Sequence, residues 1–83
     1  MTTSTSSFAM GYYETGEGAT REVRLARFVT AHGSWALLDA DTRTGETRIV
    51  TQRLHDVEEA TDTADDYLDL ARSARRPVDE LWR

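Results

Sequence analysis

Side chains able to hold or act on another molecule are concentrated in one stretch. From His55 to Ala71 the chain reads HDVEEATDTADDYLDLA, with seven carboxylates and no arginine or lysine. Glu58, Glu59, Asp62, Asp65, Asp66 and Asp69 come without the interspersed bases that ordinarily support a helix at i,i+4. Like charges at Asp62 and Asp66, and at Asp65 and Asp69, cost about 0.2–0.5 kcal/mol per pair. A field of one sign held at that cost is suited to attracting a basic partner, because surface potentials steer association. The plainer alternative is a solvated outer helix face.

Other residues offer less. His32 falls in a turn and His55 at a helix start, and neither has a nucleophile or acid at a spacing that would assemble a base. Asp39 and Asp41 lie two apart at a strand end and could share a face toward a divalent ion, but such an ion needs about six oxygen ligands. A solvated strand end is the simpler reading of that pair. Gly16 and Gly18 in TGEGAT make a G-x-G with no lysine and no helix after it, which marks a turn and not a phosphate loop. There is no cysteine, hence no disulfide and no thiolate metal site. No catalytic residue, cofactor or metal is expected.

The framework around the acidic stretch is read from periodicity. MTTSTSS, residues 1–7, is small and polar and reads as a disordered tail. FAMGYYE alternates Phe8, Met10 and Tyr12 on one side, the pattern of an added edge strand. REVRLARFVT is a strand whose alternation slips after Leu25, which a bulge near Ala26–Arg27 would absorb. His32-Gly33 suits a hairpin turn into SWALLDA. DTRTGET is a loop with Gly45 as its left-handed residue, and TRIVTQRL is a further strand. Val57, Ala60, Ala64, Tyr67 or Leu68, Ala71 and Ala74 then recur at helical spacing. Asp56 with Glu59 fits a capping box, Arg72, Arg75 and Arg76 suit the helix C-terminus, and Pro77 ends it. VDELWR comes last, with Val78, Leu81 and Trp82 along one apolar edge.

The expected architecture is α+β: an antiparallel three- to four-stranded sheet with one C-terminal amphipathic helix, about 56–75, packed on one face. Trp35, Leu37, Ile49 and Val50 are expected to meet Val57, Ala64, Leu68 and Ala71, since a lone sheet and a lone helix must each cover an apolar surface. The 83 residues allow one small domain, residues 8–76, with a tail at 77–83. A core of that size makes a homo-oligomer a further expectation. No apolar run approaches the roughly 20 residues of a membrane span, and nothing at the start resembles a signal peptide, so a cytoplasmic protein with no membrane partner is expected. Net charge is −5, carried by residues 55–83, whereas residues 1–54 are balanced with six acids and six arginines. That placement disfavours direct binding of nucleic acid, which calls for a basic face.

From about Arg21 to Ala74 the order strand, hairpin, strand, loop, strand, acidic amphipathic helix resembles the HicB-like antitoxins. The match is carried by TQRLHDVEEATDTADDYL, a third strand ending in a polar pair and running into a helix with an Asp-Val-Glu opening. FVTAHGSWALLDA is similar to the first hairpin of that family, with an aromatic residue just after the turn. DTRTGET stands where many members have a Pro-Gly loop. The resemblance implies a partial ribonuclease-H-like fold without catalysis, and a small basic HicA-like toxin as the partner whose RNA-binding surface is covered.

Three functions are therefore weighed. One is an antitoxin-like inhibitory binder whose partner-binding residues are Glu58, Glu59, Asp62, Asp65, Asp66 and Asp69, with Trp82. The second is a structural or adaptor module docking through the tail that carries Trp82. The third is an acidic nucleic-acid mimic that blocks a DNA- or RNA-binding protein.

Overall fold

A computed structural model of the chain describes residues 5–28 and 34–79. Four strands and one helix occur in chain order: β1 (Thr5–Glu14), β2 (Thr20–Phe28), β3 (Trp35–Asp41), β4 (Thr47–Leu54) and α1 (Val57–Ala74). The strands form one antiparallel sheet in the order β1-β2-β3-β4, a meander with no crossover, and α1 packs on one face. The α+β expectation is met in full, with the fourth strand supplied by the N-terminal segment. That strand starts at Thr5, inside the stretch read from sequence as a tail, because residues 5–7 pair with Phe28, Arg27 and Ala26. The His32-Gly33 turn lies outside the described residues.

Alternation along β2 and β3 sorts their side chains. Val23 and Leu25 on β2 and Leu37 on β3 point to the helix and are fully buried. Ala26, Ala36, Leu38 and Ala40 point to the opposite face, as period-two geometry requires. The two strands pair without a slip from Arg21 to Arg27, so the bulge expected near Ala26–Arg27 is not there. Three extra residues sit elsewhere. Met10 is skipped in the pairing of β1 with β2, and Val50 and Arg53 are skipped in the pairing of β4 with β3.

Each extra residue reverses the facing of the residues after it. After Met10, Tyr13 turns into the core at 4% exposure and Tyr12 turns away at 52%, so Phe8, Met10 and Tyr12 do not share one side as expected. In β4, Ile49 opposite Leu38 is 54% exposed, whereas Val50 packs against the core. Neighbours in a strand point to opposite faces, and Ile49 is therefore not the core residue that the sequence suggested. Val57 is likewise displaced from the expected core: it opens the helix before the first buried position, Ala60, and is 48% exposed.

The helix begins and ends on sequence-encoded signals. Asp56, extended at φ −139°, accepts the Glu59 N–H at 2.8 Å, and the Glu59 carboxylate accepts the His55 N–H at 2.9 Å. This is a capping box shifted by one residue at its return bond. At the other end Arg75 adopts the left-handed conformation, φ 59°, donates its N–H to Ala71 O and accepts the Gly16 N–H through its own carbonyl. The buried face is Ala60, Ala64, Tyr67, Leu68 and Ala71, so both Tyr67 and Leu68 are used. Three alanines on that face let the helix lie close to the sheet. Burying Leu68 alone contributes about 1.5–3 kcal/mol. Val78 folds back onto the same core, and Arg48 donates to Val78 O and to the Asp79 carboxylate, both at 3.1 Å.

The helix crowds the sheet at Gly11, where a Cβ would stand 2.8 Å from a Leu68 methyl. Leu68 is buried and cannot swing clear. A Gly11→Val change is expected to lower unfolding stability by about 1–3 kcal/mol through overpacking. Gly16→Ala, where a Cβ would meet nothing within 4 Å, is expected to change it by less than about 0.5 kcal/mol. Urea unfolding followed by circular dichroism measures both; equal effects of the two substitutions would refute the close-approach account.

Candidate functional site

The cap and the buried stripe together fix how the acidic residues are displayed. At 100° per residue, Glu58, Asp62, Asp65 and Asp69 lie opposite the Ala60, Ala64, Tyr67 and Ala71 stripe, and Glu59 and Asp66 flank them. All six are exposed. Glu59 is partly committed, because its carboxylate closes the cap. Among the described residues the ion pairs join Arg21 to Asp39 and Asp41, Arg24 to Glu22, and Arg48 to Asp79, so none involves these six. Thr61 and Thr63 turn their hydroxyls back to carbonyls one helical turn earlier and leave the surface to the carboxylates. The helix thus carries an outward acidic face on a rigid backing. Trp82, the remaining residue singled out from the sequence, lies outside the described residues.

A second cluster is buried, and residue spacing does not foretell it. Asp39, expected as part of a solvated strand end, has no exposed surface. It sits on the helix face of β3, two residues from Leu37. Its Oδ2 accepts from the Tyr13 hydroxyl at 2.6 Å and from the Tyr67 hydroxyl, and its Oδ1 accepts from Arg21 Nε at 2.7 Å. Arg21 Nη2 also reaches the Asp39 carbonyl at 3.4 Å. Every buried side-chain nitrogen and oxygen among the described residues has a partner. Asp41 stays at the rim, where the Arg43 and Thr44 N–H groups bond its carboxylate and hold its pKa below the usual value. The two aspartates therefore do not form the cation site weighed from their spacing, and no group of three or more His, Cys, Asp or Glu among the described residues could hold a metal.

Burial first, and then the hydrogen bond to the carboxylate, push Tyr67 up to about 12 and Tyr13 above that. The donors and acceptors of this cluster are bonded to one another. The sequence signal for it is Leu37-x-Asp39 in a strand, which puts the carboxylate on the face of Leu37, but alternation alone does not say how deeply the helix covers that face.

On the uncovered sheet face an open depression of about 540 Å³ is lined by Tyr12, Glu22, Arg24, Ala40 and the β3–β4 loop. Its polar groups are engaged with one another. Tyr12 donates to Glu22 at 2.9 Å, and Arg24 donates to Glu22 at 3.1 Å and to Ser7 at 3.0 Å. His55, exposed beside the cap, has its backbone N–H in that cap, and among the described residues no acid or nucleophile is bonded to its ring. No described helix is long and apolar enough to cross a membrane. Comparison with protein-family models, curated proteins and solved structures finds no match to this chain.

The buried cluster generates a stability prediction with a defined sign. Asp39→Ala leaves two buried phenols without their acceptor and Arg21 with only its 3.9 Å pair to Asp41, and is expected to cost about 3–5 kcal/mol, whereas Tyr67→Phe removes one charge-assisted bond and costs about 1.5–3 kcal/mol. The folded-state phenol values lie above the unfolded value of 10. Their contribution is therefore complete below pH 10 and is lost as pH rises through about 12, since the unfolded chain releases its protons first. Stability should fall in that window by about 1.4 kcal/mol per pH unit for each phenol. Urea unfolding at successive alkaline pH values measures the slope, which Tyr67→Phe should make shallower; an unchanged slope in that variant would contradict the assignment.

Proposed function

We propose that this chain is a non-catalytic protein-binding module that offers its acidic helix face to a basic protein. The observation that carries this reading is the outward display of Glu58, Glu59, Asp62, Asp65, Asp66 and Asp69 on a helix whose opposite side is locked to the sheet. A rigid array of one sign speeds encounter with an oppositely charged surface and rejects acidic ones. A small ribonuclease is basic where it holds RNA phosphates. An antitoxin-like role, in which the helix covers that surface of a HicA-like toxin, is the form of this reading that the resemblance at residues 21–74 suggests.

The absence of catalysis in this proposal is supported by the state of the titratable groups. Asp39 is the deepest carboxylate among the described residues, and it is saturated by Arg21, Tyr13 and Tyr67. An adaptor acting through the C-terminal tail is less favoured, because Val78 packs on the chain's own core and Asp79 is held by Arg48. A nucleic-acid mimic would use the same helix face, and the identity of the captured partner separates it from an inhibitor of a ribonuclease.

The test begins with capture of the partner from the native host by the tagged full chain, followed by stopped-flow association. Association with wild type should slow steeply with added salt, as charges are screened over about 10 Å at 0.1 M. The triple variant D62N/D65N/D66N should associate about tenfold more slowly at low salt while its folding stability stays equal or rises by about 0.2–0.5 kcal/mol. A triple variant that associates as fast as wild type at low ionic strength would overturn the helix-face assignment.

A further inference from the structure

The two flanks of α1 are filled differently. On the β1 side Leu68 presses on Gly11, and Arg72 gives Nη2 and Nε to the Tyr12 carbonyl at 2.9 and 3.2 Å. Leu70 stands about 160° around the helix from both Leu68 and Arg72, on the flank toward β4 at the other end of the sheet order. It is 42% exposed. Thr63 and Ala74 fall on the same flank at helical spacing, so an uncharged stripe with one large apolar side chain runs between the acidic face and the sheet. Val50 of β4 and Val78 lie on the sheet side of that stripe, both only partly buried against the core.

The chain after α1 is brought back to this flank. Arg48 pairs with Asp39 across the sheet and so lies on the helix face of β4, where it donates to Val78 O and to the Asp79 carboxylate, both at 3.1 Å. Residues 80–83 lie outside the described residues, but Trp82 is four positions beyond Val78, and that spacing selects its side in either regular conformation. Four residues on, a side chain returns to the same side in a strand of period two and, within about 40°, in a helix of 3.6 residues per turn. A Trp so placed is turned toward the surface that Val78 already covers. Its reach from Val78 is about 6 Å along a helix and about 13 Å along an extended chain, while Leu70 is about 6 Å along the axis from Ala74, the last residue of α1.

We infer that Trp82 docks on the chain's own flank between α1 and β4, its indole lying over Leu70 beside Val50 and Val78. Charge agrees with this occupant: Arg83 follows Trp82, and Glu59 and Asp66 are the acids next to Leu70 around the helix. An indole suits the place because its ring is buried while its N–H finds a polar partner at the wet rim. Trp82 thereby belongs to the fold, and the surface left to a partner is the acidic face alone.

Nuclear Overhauser spectra of the full chain with labelled leucine and valine methyls test this. Contacts are expected from the Trp82 ring to the Leu70 methyls and to those of Val50 or Val78. Trp82→Ala and Leu70→Ala should each lower the thermal midpoint by about 4–8 °C, and the double variant by less than the sum, since both truncate one contact. Leu70 is exposed and outside the buried stripe of α1, so circular dichroism should show all three variants folded. Val57→Ala, at an exposed apolar position near the other end of α1, should combine additively with Trp82→Ala. Absence of contacts between Trp82 and Leu70, or strict additivity of their substitutions, would overturn the inference. So would contacts seen only between differently labelled copies, which would put the indole of one molecule on the flank of another.

Discussion

One carboxylate ties this small molecule together. Asp39 lies on β3 and is bonded by Tyr13 of β1, Arg21 of β2 and Tyr67 of α1, so a single side chain joins four of the five elements. A buried ion pair gives little net stability compared with well-packed apolar groups, but breaking one is expensive. Its effect is therefore on specificity. A one-residue slip of β3 would carry Asp39 to the outer face, bring Leu38 inward and leave three donors without an acceptor. The hub admits one register of the sheet and one seating of the helix.

Everything on the helix depends on that seating. Ala60, Ala64 and Ala71 are small enough for the backbone to settle near the sheet, Gly11 leaves room for Leu68, and Tyr67 then reaches Asp39. With that side locked, the rotation of the helix about its axis is settled and the carboxylates at 58, 62, 65 and 69 have only solvent to face. The charge excess of the chain thus becomes a directional surface and not a diffuse property. Arg72, on the flank nearest β1, is spent on the Tyr12 carbonyl and does not neutralise the acids.

Bulges set which side chains of β1 and β4 face the core. The extra residues Val50 and Arg53 twist β4 while keeping Leu54 turned inward to close the core below Trp35. Met10 does the corresponding work in β1, delivering Tyr13 to the hub and turning Tyr12 out to Glu22. These one-residue insertions decide which of two adjacent similar residues is structural: Tyr13 and not Tyr12, Val50 and not Ile49.

Features that depend on a few consecutive residues are legible in the sequence without any fold. The order of strands and helix comes from local periodicity, the Asp56–Glu59 cap from hydrogen-bonding groups three residues apart, and the left-handed Gly45 from backbone sterics at φ 79°. Charge placement is a property of the sequence in the strictest sense. Other features exist only once the chain has folded: that residues 5–7 join the sheet, that Asp39 is buried and not solvated, that Val57 and Ile49 are surface residues, and that β1 stands at one end of the sheet order. In each case the deciding partner lies 20 or more residues away or across a strand, and a period-two pattern cannot foresee the single skipped residue that reverses it.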